Sequence, residues 1–127
     1  DLAPAIEALK TLSAYGKSKK VAVIIEPRNR STVETLVEVI KASGTYANPD
    51  IGNFPDEETA ERGLRMLYPL SRTVSHVKLS PTRGLDFAKA IQISKEMGFK
   101  GVYSLEAGGP DPHATVQKLL DELLKNL

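Results

Sequence analysis

The chain of 127 residues contains no cysteine. That excludes a disulfide framework and a thiolate zinc site, so any metal must be held by oxygen and imidazole. Histidine is scarce as well, with only His76 and His113. Long apolar runs are missing. The longest, Val21 to Ile25, is far short of the roughly 20 residues that cross a bilayer, and no basic-then-apolar leader opens the chain. A cytoplasmic protein is the expectation. Neither sign of charge dominates: 17 basic residues are interspersed with 16 acidic ones, which leaves no electrostatic footprint for nucleic acid. The phosphate-binding P-loop, the dinucleotide glycine fingerprint and the nucleophile elbow are absent too.

What is present is an ordinary globular composition, 41% hydrophobic, in a chain long enough for one domain with a real core. Its organisation is a repeat. Leu2 to Ala14 carries Leu2, Ile6, Leu9 and Ser13 on one stripe and predicts a helix closed by Gly16. Lys20 to Glu26, nearly all apolar and β-branched, predicts a strand covered on both faces. Ser31 with Glu34 forms a capping box for a helix that buries Val33, Leu36, Val37 and Ile40 and stops at Gly44. The unit then returns three times. Thr45 to Asp50 is a short strand, followed by a helix from about Asp56 to Tyr68 that Pro69 closes. Thr73 to Leu79 is a strand, followed by a helix over Leu85 to Met97 stopped by Gly98. Gly101 to Glu106 is the last strand, and Asp111 with Pro112 opens a helix with Val116, Leu119, Leu120, Leu123, Leu124 and Leu127 on one stripe.

Four βα units preceded by one helix predict an α/β domain spanning residues 1–127, with a parallel sheet and right-handed crossovers. An open doubly wound sheet and an arc of a (βα)8 barrel are the two closures. Each of the four strands ends at or near a residue able to ligate a metal or move a proton: Glu26, Asp50, His76 and Glu106, spaced 24, 26 and 30 residues apart. A barrel mouth collects the ends of successive strands, whereas an open sheet concentrates its site at one switch point. The pattern therefore favours half of a TIM barrel, since a whole one runs to ~250 residues. Such a half leaves two strand edges unpaired, so it is expected to be a fragment of a longer chain, completed by a missing N-terminal half-barrel, or self-associating.

Three carboxylates and one imidazole form a hard donor set suited to Mn²⁺ or Mg²⁺, with Co²⁺ or Zn²⁺ also admitted. A divalent ion there acts as a Lewis acid on a sugar carbonyl, stabilising the enediolate formed when a carboxylate takes the neighbouring proton. Glu26 and Glu106, from strands far apart in the arc, suit an acid–base pair working on opposite faces of the substrate. Taken singly, an acid at a strand end more often caps a helix or supports a turn. Asp50 is placed to support one with Gly52 and Asn53, and His113 reads as a surface residue.

The motifs VIIEPRN, PDIGNF, HVKLS and YSLEAGG, in this order, resemble the C-terminal half of the xylose-isomerase-like barrels, a group of sugar and sugar-phosphate isomerases and epimerases that includes tagatose and psicose epimerases. The resemblance covers nearly the whole chain. It implies a metal, such as Mn²⁺, on Glu26, Asp50, His76 and Glu106, with Glu26 and Glu106 as the acid–base pair. It also implies substrate contacts from Asn53, Lys78 and Arg83 to a hydroxyl or phosphate. Two departures stand out. Asn53 replaces a histidine that many relatives carry, and Leu79 replaces the acid that often follows the lysine. The function implied is that of a metal-dependent sugar or sugar-phosphate isomerase or epimerase, with the isolated segment inactive because the first half supplies much of the pocket. A keto-polyol dehydratase on the same scaffold and a non-catalytic, self-associating half-barrel are the alternatives. Apurinic-site endonucleases share the superfamily but use many histidines, and the charge and histidine counts argue against them.

Overall fold

In the computed structural model, residues 1–28, 31–79 and 85–127 are described. Five helices alternate with four short strands: α1 (Ala3–Ser18), β1 (Ile24–Ile25), α2 (Val33–Ser43), β2 (Tyr46–Ala47), α3 (Glu57–Leu67), β3 (Val74–Val77), α4 (Phe87–Glu96), β4 (Val102–Leu105) and α5 (Pro112–Asn126). The protein is thus α/β with parallel strand pairing. β1 pairs with β2 in the register Ile24 to Tyr46, and β3 with β4 in the register Val74 to Val102. A single parallel bridge between Asp50 and His76 joins the two pairs. Among the described residues the strands therefore neighbour one another in chain order.

Local chemistry accounts for the helix ends. Asp56, Asp86 and Asp111 each accept a backbone N–H of the following turn, from Thr59, Ala88 and Ala114. Gly44 ends α2 in the left-handed conformation, at φ 67°. The capping box moves by one residue: Thr32, not Ser31, accepts the Thr35 N–H, which frees Glu34 to pair with Arg62 of α3. α1 does not stop at Gly16 but runs to Ser18, and the Val21 N–H returns to the Gly16 carbonyl to turn the chain into β1. At the end of α3 the chain tightens into a 3-10 turn, Tyr68–Leu70, around Pro69.

Parallel pairing puts register partners on the same side of the sheet, and the two sides differ. Ala47, Ser75 and Val77 are fully buried, and Ile25, Tyr103 and Leu105 pack against the core formed with the helices. The other side is open. Ile24 and Val102 are 37% and 68% exposed, and Tyr46 and Val74 are only partly covered. This corrects the expectation that the first strand is covered on both faces: among the described residues, β1 has a helix layer on one side only. It also corrects strand length, because only Ile24–Ile25 and Tyr46–Ala47 keep the ladder in the first two units. Pro49 lacks the N–H for a longer ladder, although its carbonyl accepts the His76 N–H at 2.9 Å.

The core lies between sheet and helices, with Ile40, Leu64, Leu67, Ile91 and Leu119 essentially inaccessible. α1 packs on α2 and α5 packs on α4 and β4, and both are covered less. The apolar stripe of α5 is buried only at Leu119 and Leu123, while Val116, Leu120, Leu124 and Leu127 are exposed.

Candidate metal centre

The open side of the sheet becomes polar toward the strand ends. Alternate residues share a face, so Glu26 follows Ile24, Asn48 and Asp50 follow Tyr46, His76 and Lys78 follow Val74, and Ser104 and Glu106 follow Val102. The pairings of Asp50 with His76 and of His76 with Ser104 bring the later units into one row. One ligand atom from each of Glu26, Asp50 and His76 lies within 4.8 Å of the others. Glu106 is not in that tight group but reaches the same imidazole. His76 Nδ1 is 3.2 Å from Glu26 Oε2, 3.9 Å from Asp50 Oδ2 and 3.9 Å from Glu106 Oε2.

Each carboxylate is held. Asp50, with 1% of its side chain accessible, accepts the Gly52 N–H at 2.8 Å and the Asn53 amide at 2.9 Å. It therefore supports a turn and faces the site at once. Glu26 accepts the Asn48 amide at 3.3 Å and pairs with Arg28. Lys78 bridges two acids, with Nζ 3.0 Å from Asp50 Oδ2 and 2.7 Å from Glu106 Oε2. Burial pushes the Asp50 carboxyl above the usual range despite its donors. The Lys78 hydrogen bond holds Glu106 below it. For Lys78 itself, burial lowers the ammonium's pKa, but the hydrogen bonds it donates to Glu106 and Asp50 outweigh it and leave it raised.

The substrate-contact expectations fare differently. Asn53 spends its amide on Asp50, and Lys78 spends its ammonium on two carboxylates, so both are tied into the site rather than extended from it. Arg83 lies outside the described residues. His113 is exposed on α5. Two residues went unmarked in the sequence. Asn48 is buried, with its oxygen accepting the His76 N–H at 3.2 Å and its nitrogen on Glu26; its place two residues before Asp50, on the same face, was the available signal. Arg28, two residues after Glu26, carried the same signal for an ion pair.

No family model matches this chain, and no curated protein matches it. A buried nitrogen, His76 Nδ1, has no hydrogen-bond partner among the described residues, although carboxylate oxygens surround it. An unsatisfied buried polar atom is costly, and a cation shared with the carboxylates would satisfy it. The donor set of one imidazole and carboxylates fits a divalent ion. A cavity of about 320 Å³ adjoins the site, lined by Lys78, Leu79, Glu106, Ala107, Gly108 and Thr115.

Proposed function

We propose that the chain is the C-terminal half of a (βα)8 barrel of the xylose-isomerase-like type and carries the metal and acid–base residues of a sugar or sugar-phosphate isomerase or epimerase. The observation that carries this reading is the orphaned, buried His76 Nδ1, facing carboxylates from three other strand ends. Consecutive neighbouring of four parallel strands supports the barrel arc, because doubly wound sheets reverse their strand order at a switch point. The half-barrel also accounts for the open face, which in a closed barrel is interior.

Glu26, Asp50, His76 and Glu106 would hold the ion, which would supply Lewis acidity toward a carbonyl and its neighbouring hydroxyl. Glu26 and Glu106 exchange protons with the carbon beside that carbonyl. Both reach the same imidazole from strands at opposite ends of the arc, the placement a two-base exchange requires. Asn48 orients Glu26, while Lys78 keeps Glu106 ionised near neutral pH, the form needed to accept a proton.

With four strands and five helices, this half leaves room for a partner of four strands and three helices, since α1 and α5 already flank the outer strands. Turnover by the 127-residue chain alone is therefore expected to be negligible. The test is Mn²⁺ calorimetry on the wild-type chain and on the Glu26→Gln and Glu106→Gln variants. Binding weakened by both substitutions supports the reading. A folded wild-type protein that takes no Mn²⁺ leaves a scaffold without a metal function.

A further inference from the structure

Lys78 does more at this site than contribute a positive charge. Its ammonium sits between two carboxylates assigned above to the metal, at 3.0 Å from Asp50 and 2.7 Å from Glu106. Asp50 Oδ2 already accepts the Asn53 amide, so Lys78 is the second donor on that one oxygen. The position is built rather than incidental. The Lys78 stem lies across Gly52, where an added Cβ would collide with Cδ and crowd Cγ and Cε, and the side chain is only 19% exposed. Arg28, the other cation at the site among the described residues, pairs with Glu26 from a side chain 69% exposed and has no such seat.

A cluster of like charges with one member fully buried needs a counter-charge whenever no metal is present. Lysine suits a temporary one. It is a compact ammonium on four flexible carbons, and it can withdraw along the wall of the adjoining cavity that it shares with Glu106 and Thr115.

We propose that Lys78 is the site's resident counter-cation: it holds Asp50 and Glu106 in place without metal, competes with a divalent ion for their oxygens, and so sets the affinity of the centre. This rests on the metal reading of the site and specifies how that site is regulated.

The experiment is calorimetric titration of MnCl₂ into the 127-residue chain at fixed pH and ionic strength, comparing wild type, Lys78→Met, Gly52→Ala and Arg28→Met. Methionine keeps much of the stem over Gly52 and removes the charge. Lys78→Met is expected to bind Mn²⁺ about tenfold or more tightly than wild type, the scale of removing a nearby unit charge facing a divalent ion. Gly52→Ala, which pushes the stem off its seat, is expected to tighten binding in the same direction and keeps the test alive if the methionine variant does not fold. Arg28→Met is expected to change affinity less than Lys78→Met. Folded Lys78→Met that binds Mn²⁺ as weakly as wild type, or more weakly, overturns the competition while leaving the metal site intact. No binding to wild type or to any variant overturns the metal reading and this inference together.

Discussion

His76 Nδ1 lies 3.2 Å from Glu26 Oε2 and makes no hydrogen bond among the described residues. A cation shared with the carboxylates around it would satisfy that nitrogen. Ligand that binds only the folded state stabilises it by about 2.7 kcal/mol at a hundredfold excess over its Kd. Mn²⁺ at that excess is expected to raise the urea midpoint of the wild-type chain accordingly, and a chelator should reverse the change. In His76→Gln the metal-dependent shift should be largely lost. An equal shift in the variant would remove His76 from the centre.

The Lys78–Glu106 pair predicts a pH signature. Glu106 titrates below its usual value of 4.5 in the folded protein, so its contribution to stability is present above 4.5 and is lost as pH falls through the folded value. Lys78 titrates above 10.5, so its contribution is present below 10.5 and is lost as pH rises through its folded value. Asp50 runs the other way: its raised value makes the carboxylate a cost that protonation relieves. Wild type is therefore expected to exceed Glu106→Gln in stability at neutral pH, with the gap closing as pH drops below 4.5. Unfolding curves collected in urea from neutral pH downward measure it, and a gap independent of pH would refute the pairing.

Two substitutions test what fastens the helix layer. Leu64 is fully buried in α3, so Leu64→Ala leaves a cavity and should cost about 2–5 kcal/mol. Ser13 is buried on α1 and donates to the Gly44 carbonyl at 2.7 Å, linking α1 to the end of α2; Ser13→Ala should cost about 1 kcal/mol. Chemical denaturation of both variants checks the order. A larger cost for Ser13→Ala would mean that α1 docks mainly through this bond.

The sequence made the helices legible because their signals are local. Asp111 caps as its position requires, and Gly44 stops α2 in the left-handed region where glycine is favoured. Convergence of Glu26, Asp50 and His76 was legible for a different reason: in parallel βα units, strand ends share one side, and spacing alone reports that. What failed was burial. The run from Lys20 to Glu26 looks covered on both faces, since apolar composition marks a surface that needs covering without saying whether the covering part is present. The roles of Asn48 and Lys78 were hidden because hydrogen bonds across strands depend on register, and register is fixed by pairing between segments, not by either segment alone.

The open face yields the last prediction. Ile24 stands on β1 and Val102 on β4, and both point away from the helix layer. Apolar side chains and unpaired strand edges in such a position attract another strand-bearing surface, whether a complementary half or a second copy. Val102 is 68% exposed and Ile24 37%, so Val102→Lys should shift the unfolding free energy by no more than about 0.5 kcal/mol and Ile24→Lys by about 1 kcal/mol. The two changes together should suppress concentration-dependent association, since charged residues on an edge oppose pairing. Sedimentation velocity over a range of protein concentrations gives the readout. Wild type is expected to shift toward larger species as concentration rises, and Ile24→Lys/Val102→Lys to remain monomeric. A strong loss of stability in the double variant would mean that these residues are packed in solution by this chain itself, and the half-barrel reading of the open face would fall.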